Sequence, residues 1–149
     1  MPKLDDQLCF ALYAATNAVT RAYRPLLDAI DLTYPQYLVM LALWQHGAGP
    51  VSEVAARLQL GASAVTPLID QLVKSGYVAR ARSRSDRRLV IVMLTTKGVD
   101  LQEAAAEAQK QVVCRTGLTD QALATLRTDL HTLIDRIAVS SAMPPNEPE

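Results

Sequence analysis

Residues 61–94, GASAVTPLIDQLVKSGYVARARSRSDRRLVIVML, decide the fold. The first half has the composition of a short helix, and Gly76 marks the junction. Residues 77–82 and 89–94 are β-prone, and the polar SRSD between them supplies a turn, so the second half reads as a β-hairpin. Five arginines, Arg80, Arg82, Arg84, Arg87 and Arg88, crowd into that hairpin with only Asp86 against them. A short helix followed by a basic hairpin is the layout of a winged helix-turn-helix that lies on DNA.

Working upstream, Gly47, Gly49 and Pro50 stop a preceding helix. Ser52 is positioned to cap a short helix over 53–58, and residues 59–62 form the turn into the next helix. Pro67 is expected near the start of that helix, since a later proline removes a backbone hydrogen bond. Thr33 with Gln36 makes a capping box and Pro35 fits a first turn, which predicts a helix over 34–46. Its nearly continuous apolar run, 38–44, implies burial on most sides. Residues 4–28 form a long amphipathic helix: Leu8, Leu12, Ala15, Val19, Ala22 and Leu26 recur at helical spacing, with a second stripe of Cys9, Tyr13, Thr16, Thr20, Tyr23 and Leu27 beside them.

Downstream, Thr95 or Thr96 can cap an Ala-rich helix to about Arg115. Gly117 breaks it, and Thr119 caps a last helix over 120–138 whose face carries Leu123, Leu126, Leu130, Leu133, Ile134 and Ile137. Residues 140–149 are expected to be disordered. The fold class is therefore mainly α with a small β-hairpin. One domain, 1–139, carries a winged helix-turn-helix over 34–94, flanked by long helices, 4–30 and 96–138. Helices with such broad apolar faces must bury them, and symmetric pairing of two chains is the economical solution.

At 149 residues, half of them hydrophobic, the chain has enough material for one core and too little for two large ones. No apolar run approaches the ~20 residues that span a bilayer, and the N-terminus lacks signal-peptide order, so a cytoplasmic protein is expected, with no membrane partner. Cys9 and Cys114 form no CxxC pair, His46 and His131 have no ligand-like neighbours, and no motif asks for a metal or a cofactor. The net charge of zero hides an asymmetry. Between residues 50 and 98, eight Lys or Arg stand against Glu53, Asp70 and Asp86, a balance of +5, while the rest of the chain carries seven against twelve, −5. A locally positive face suffices to collect phosphates, because screening acts over a Debye length of about 8–10 Å.

The order of elements and the local signature SDRRLVIVMLTTKG, with Asp86-x-Arg88 in the wing, resemble the MarR family of dimeric winged-helix regulators over nearly the whole chain. Within it, LDDQLCFALYAATNAVTRAYRPLLDAIDLTYPQYLVMLALW resembles the two-cysteine organic-hydroperoxide regulators, the OhrR group. That resemblance implies a homodimeric repressor, not an enzyme, on a pseudo-palindromic double-stranded operator, with an organic hydroperoxide as inducer. It implies that Cys9 is the peroxidatic cysteine, that Tyr23 and Tyr34 hydrogen-bond its sulfur, with Tyr13 beside them, and that Cys114 resolves it through an intersubunit disulfide. Spacing adds a constraint: Cys9 and Tyr23, 14 residues apart, stand ~21 Å apart on one helix and do not meet within a chain.

For DNA contact the candidates are Ser63, Thr66 and Gln71 in the reading helix and Arg80, Arg82, Arg84, Arg87 and Arg88 in the wing. Arg84 and Arg87 are placed for a minor groove, and Arg88 is expected to pair with Asp86, which orients the wing. The reading helix departs from the OhrR pattern, with Gly61, Ala62, Ser63 and Ala64 before its Thr-Pro and Asp70 and Gln71 after it. Two other readings stand beside this one. In the first, Cys9 is silent and a hydrophobic pocket binds a small aromatic ligand. In the second, the chain is a thiol enzyme that reduces peroxides, for which a basic wing has no use.

Overall fold

Helix boundaries follow local capping chemistry. In the computed structural model, which describes residues 1–142, α2 (Tyr34–His46) opens on the capping box expected of Thr33 and Gln36. The Gln36 N–H donates to Thr33 Oγ1 at 3.3 Å, and the Thr33 N–H donates to Gln36 Oε1 at 3.0 Å. Before it, residues 4–6 make a 3-10 turn, Gln7 is extended, and α1 runs over Leu8–Asp28 with Pro25 inside its last turns. The expected helix from Leu4 is broken at Gln7, and Cys9 lies in the first turn of α1.

A two-residue strand, β1 (Gly49–Pro50), leads directly into α3 (Val51–Arg57). Ser52 therefore lies inside the helix and caps nothing, a correction with a simple cause: Pro50 pairs with Ile91 in a sheet, so the chain leaves the strand straight into the helix. After the turn at Gln59, which adopts φ +56, α4 spans Ala62–Lys74. Pro67 is its sixth residue rather than an early one. The helix tolerates it because Ser63, whose carbonyl loses its partner, is exposed to water.

The hairpin consists of β2 (Val78–Arg82) and β3 (Val90–Leu94) in antiparallel register from Val78 with Leu94 to Arg82 with Val90. The sheet has three strands in the order β1-β3-β2, one more than expected. Pro50 sits on an edge strand, where a missing N–H is acceptable. Next, α5 spans Thr96–Thr116, with Thr95 Oγ1 accepting from the Gly98 N–H at 3.1 Å, and α6 spans Asp120–Ala142, with Thr119 Oγ1 accepting from the Ala122 N–H at 3.1 Å. The last helix is longer than expected: Ser140 and Ser141 are helical, with hydroxyls donating to the carbonyls four residues back. The remainder of the expected tail, 143–149, lies outside the described residues.

The chain divides into two compact units, residues 1–112 and the chain from Val113 onward. The core of the first forms around α2, whose Val39, Met40 and Leu43 are almost wholly buried, as its continuous apolar run requires, against Val54, Val65, Ile69, Leu72 and Val92. Polar links fix the wing to this core. Trp44 Nε1 donates to the Gly98 carbonyl at 3.0 Å, Tyr77 Oη donates to the Ile30 carbonyl at 3.0 Å, and Thr95 Oγ1 donates to the Gly76 carbonyl at 2.6 Å. Gly98 has no alternative, because a Cβ there would stand 2.0 Å from the Tyr77 carbonyl oxygen. In the second unit no residue of α6 is fully buried, and Leu123 and Leu133 are half-buried.

Candidate functional site

The candidate residues fall into two groups, and they differ in how far the described residues supply their partners. In α4, Val65, Ile69 and Leu72 face the core, which turns Ser63, Thr66, Asp70 and Gln71 outward. Few of these are free. Thr66 Oγ1 donates back to the Ala62 carbonyl at 2.9 Å, Asp70 is ion-paired to Arg80, and Gln71 Oε1 accepts from Gln36 Nε2 at 2.7 Å. Ser63 is exposed and has no side-chain partner among the described residues. Gln71, a sequence candidate for base contact, is exposed, with its Oε1 held by Gln36.

The wing is more ordered than a solvated loop. Ser83 N–H donates to the Leu89 carbonyl at 2.9 Å, and Leu89 N–H donates to the Asp86 carbonyl at 3.0 Å, closing the turn. Arg88 donates to Asp86 through Nε at 3.1 Å, Nη2 at 3.2 Å and its own backbone N–H at 3.1 Å. The pairing expected of these two residues is present. The Arg88 side chain, and then its backbone N–H, hold the Asp86 carboxyl below the usual carboxylate range. Arg82 Nη1 donates to the Arg87 carbonyl at 2.9 Å, bracing the turn from the strand side.

Three of the five arginines are therefore occupied: Arg80 with Asp70, Arg82 with the Arg87 carbonyl, Arg88 with Asp86. Arg84 and Arg87 are exposed, and among the described residues neither side chain has an ion-pair or hydrogen-bond partner. Both lie between the braced positions 82 and 88. A cleft of about 290 Å³ opens beside the wing, lined by Thr66, Arg80, Arg88, Leu89 and the β1 residue Pro50. Fixed backbone with two uncompensated guanidiniums at its tip is suited to phosphate or minor-groove contact.

The thiol site is built differently. Cys9 is exposed in the first turn of α1, with Tyr13, 68% exposed, one turn further along the same face. Leu8 and Val19 continue this uncovered apolar surface. Tyr23 lies near the other end of α1 and packs with Tyr34 of α2, ring centroids 5.5 Å apart. Tyr37, which the sequence reading left out, completes the cluster at 5.3 Å from Tyr23 and 6.3 Å from Tyr34. The signal for it was the i, i+3 spacing of Tyr34 and Tyr37 at the start of a buried helix. Burial pushes the pKa of all three phenols up from 10, that of Tyr37 furthest, so they remain neutral hydrogen-bond donors at any physiological pH. The structure brings Tyr23 and Tyr34 together but leaves Cys9 ~21 Å away along the helix. Cys114, in the last turn of α5, is exposed. Along α6 of the second unit, Leu126, Leu130, Ile134 and Ile137 are also exposed.

The MarR family profile matches residues 32–90. The organic hydroperoxide resistance transcriptional regulator of Bacillus subtilis is 36% identical over 135 residues, covering 91% of this chain and 92% of that protein. The HTH-type transcriptional regulator TtmR of Methylorubrum extorquens is 46% identical over 135 residues, 86% of this chain and 69% of the relative. Among solved structures, reduced AbfR bound to DNA, from Staphylococcus epidermidis, superposes with a TM-score of 0.74 at 32% identity, over 90% of this chain and 94% of that one. No helix among the described residues is long and apolar enough to cross a membrane.

Proposed function

This chain belongs to the MarR family and is a DNA-binding transcriptional regulator, and we propose that it is a homodimeric repressor that releases its operator when an organic hydroperoxide oxidises Cys9. The observation that carries the reading is the placement of Cys9: exposed, in the first turn of α1, on an apolar face that nothing among the described residues covers. The phenols suited to hold its sulfur, Tyr23 and Tyr34, are clustered at the far end of the same helix. An antiparallel approach of two α1 helices brings each Cys9 to the partner's tyrosines.

The Cys9 thiolate attacks the terminal oxygen of the hydroperoxide. An S–O bond forms, the O–O bond breaks, and the alkoxide leaves as the alcohol after taking a proton, giving Cys9 sulfenic acid and consuming the two-electron oxidant. The Cys114 thiolate of the second chain then attacks that sulfur, forming an S–S bond and expelling hydroxide, which leaves as water; this protects Cys9 from over-oxidation. The two reading heads of the dimer sit on half-sites about 34–36 Å apart. A disulfide that moves the dimer helices changes that spacing and releases the DNA. On the DNA side, Arg84 and Arg87 supply the uncompensated charge, with Ser63 and Thr66 as the remaining contacts from α4.

The test is a gel shift on the DNA upstream of the protein's own gene, with and without cumene hydroperoxide. Peroxide is expected to release wild type and leave Cys9→Ser bound. Equal release of both proteins overturns the assignment of Cys9. Release of both by an aromatic acid without peroxide supports the ligand-controlled reading instead, with the cleft of about 220 Å³ beside Tyr37, Trp44 and Ala105 as its place.

A further inference from the structure

We infer that the hydrogen bond between Gln36 and Gln71 is the link through which the tyrosine cluster at the start of α2 acts on the reading helix α4. The inference rests on the redox reading above and names the part of this chain that transmits it.

Apart from tyrosines, Gln36 is the only buried side chain among the described residues that carries a polar group, 6% exposed. Both ends of its amide are committed. Oε1 accepts from the Thr33 N–H at 3.0 Å and Nε2 donates to Gln71 Oε1 at 2.7 Å. A flipped amide would put a donor against a donor at Thr33 and an acceptor against an acceptor at Gln71, so its orientation is fixed. One amide thus belongs to the cap of α2 and to a bond across to α4.

Its place in α2 gives the bond a purpose. Tyr34 and Tyr37, two residues before and one after Gln36, pack on Tyr23. Whatever draws a partner's sulfur onto these phenols, or releases it, acts on the turn of helix that Gln36 caps. At the other end, Gln71 follows Asp70, which holds Arg80 of the wing. A shift of the α2 start therefore reaches both the reading helix and the base of the wing through two adjacent residues.

The bond is also able to change. It borders an open cleft of about 600 Å³ lined by Asp28, Asp31, Thr33, Lys74 and Ser75. Water from that cleft can take either amide when the two helices separate, so the pair can exist in a joined and a parted state without a stranded polar group. A coupling element needs two such arrangements. The wholly buried apolar contacts of α2 with α4, such as those of Val65 and Leu72, offer only one.

The experiment compares operator affinity of reduced and hydroperoxide-oxidised protein in wild type, Gln71→Met and Gln71→Glu, with thiol titration to verify that Cys9 is oxidised in each. Methionine keeps the length of the side chain and removes the acceptor; glutamate keeps the acceptor. The quantity read is the ratio of the two affinities, whatever happens to either alone. It is expected to shrink about three- to tenfold in Gln71→Met, the worth of one such bond, and to keep its wild-type value in Gln71→Glu. An unchanged ratio in Gln71→Met overturns the link, and a lowered reduced-state affinity at an unchanged ratio makes Gln71 a DNA contact instead. If wild type shows no ratio although its Cys9 is oxidised, the redox reading itself falls and this link with it.

Discussion

Helices α1 and α2 draw on the same kinds of residue and use them in opposite ways. In α2 the apolar side chains find their partners within the chain: Val39 and Met40 are 0% exposed and Leu43 1%. In the first half of α1 they do not, with Leu8 60% and Tyr13 68% exposed. A chain does not leave large apolar residues exposed on two neighbouring stripes of one helix without cause. In the proposed dimer, the difference separates what folds the protein from what a second copy covers, and Cys9 lies on the second kind of surface while Tyr34 and Tyr37 lie on the first.

The contrast is broken most forcefully by truncating one leucine on each side of it. Leu43→Ala is expected to cost about 3 kcal/mol by urea unfolding, at every protein concentration, from lost burial plus a cavity. Leu8→Ala is expected to leave that value within about 0.5 kcal/mol once the chain is monomeric, and to weaken dimerisation, seen as a midpoint that falls with dilution. Equal, concentration-independent losses would mean that the α1 face is buried in its own chain.

A smaller effect is expected at the wing. Arg84→Ala should reduce the slope of log affinity against log salt by about one, the release of one counterion, whereas Arg82→Ala should act mainly by loosening the turn. An unchanged slope in Arg84→Ala removes that residue from the DNA. The smallest effect is at the tyrosine cluster. Folding raises the phenol pKa values of Tyr23, Tyr34 and Tyr37 above 10, so the unfolded chain loses these protons first as pH rises. Their contribution is full below pH 10 and falls away above it. Tyr37→Phe should make the alkaline loss of stability shallower, measured by urea unfolding between neutral pH and pH 11; an equally steep loss would locate the alkaline transition elsewhere.

Much of this was legible because it is local. Thr33 with Gln36, Thr95 and Thr119 cap the helices they precede, through bonds that span three residues. The continuous run in α2 announced burial on most sides, and Asp86 with Arg88 announced their own pairing. What stayed hidden depends on distant parts of the chain. Two residues, one of them proline, do not read as a strand; β1 exists because β3, some forty residues later, gives Gly49 and Pro50 a partner. Ser52 lost its capping role for the same reason. The bond from Gln36 to Gln71 was hidden likewise, since the two residues are 35 positions apart. The cysteine site divides along the same line: the resemblance pointed to Cys9, Tyr23 and Tyr34, while the joining of Tyr37 to the cluster required two helices to be packed.

The central claim, that Cys9 works with tyrosines of the other chain, is tested by mixing subunits. Two heterodimers are purified with distinguishable tags, each containing a single Cys9. In the first, one chain carries Cys9→Ser and the other carries Tyr23→Phe with Tyr34→Phe; in the second, one chain carries all three substitutions and the other none. The rate of Cys9 oxidation by stoichiometric cumene hydroperoxide is then followed by thiol titration. The account predicts that Cys9 reacts at the wild-type rate in the first heterodimer, where it faces intact tyrosines across the interface, and slowly in the second. Fast oxidation in the second and slow oxidation in the first would contradict it.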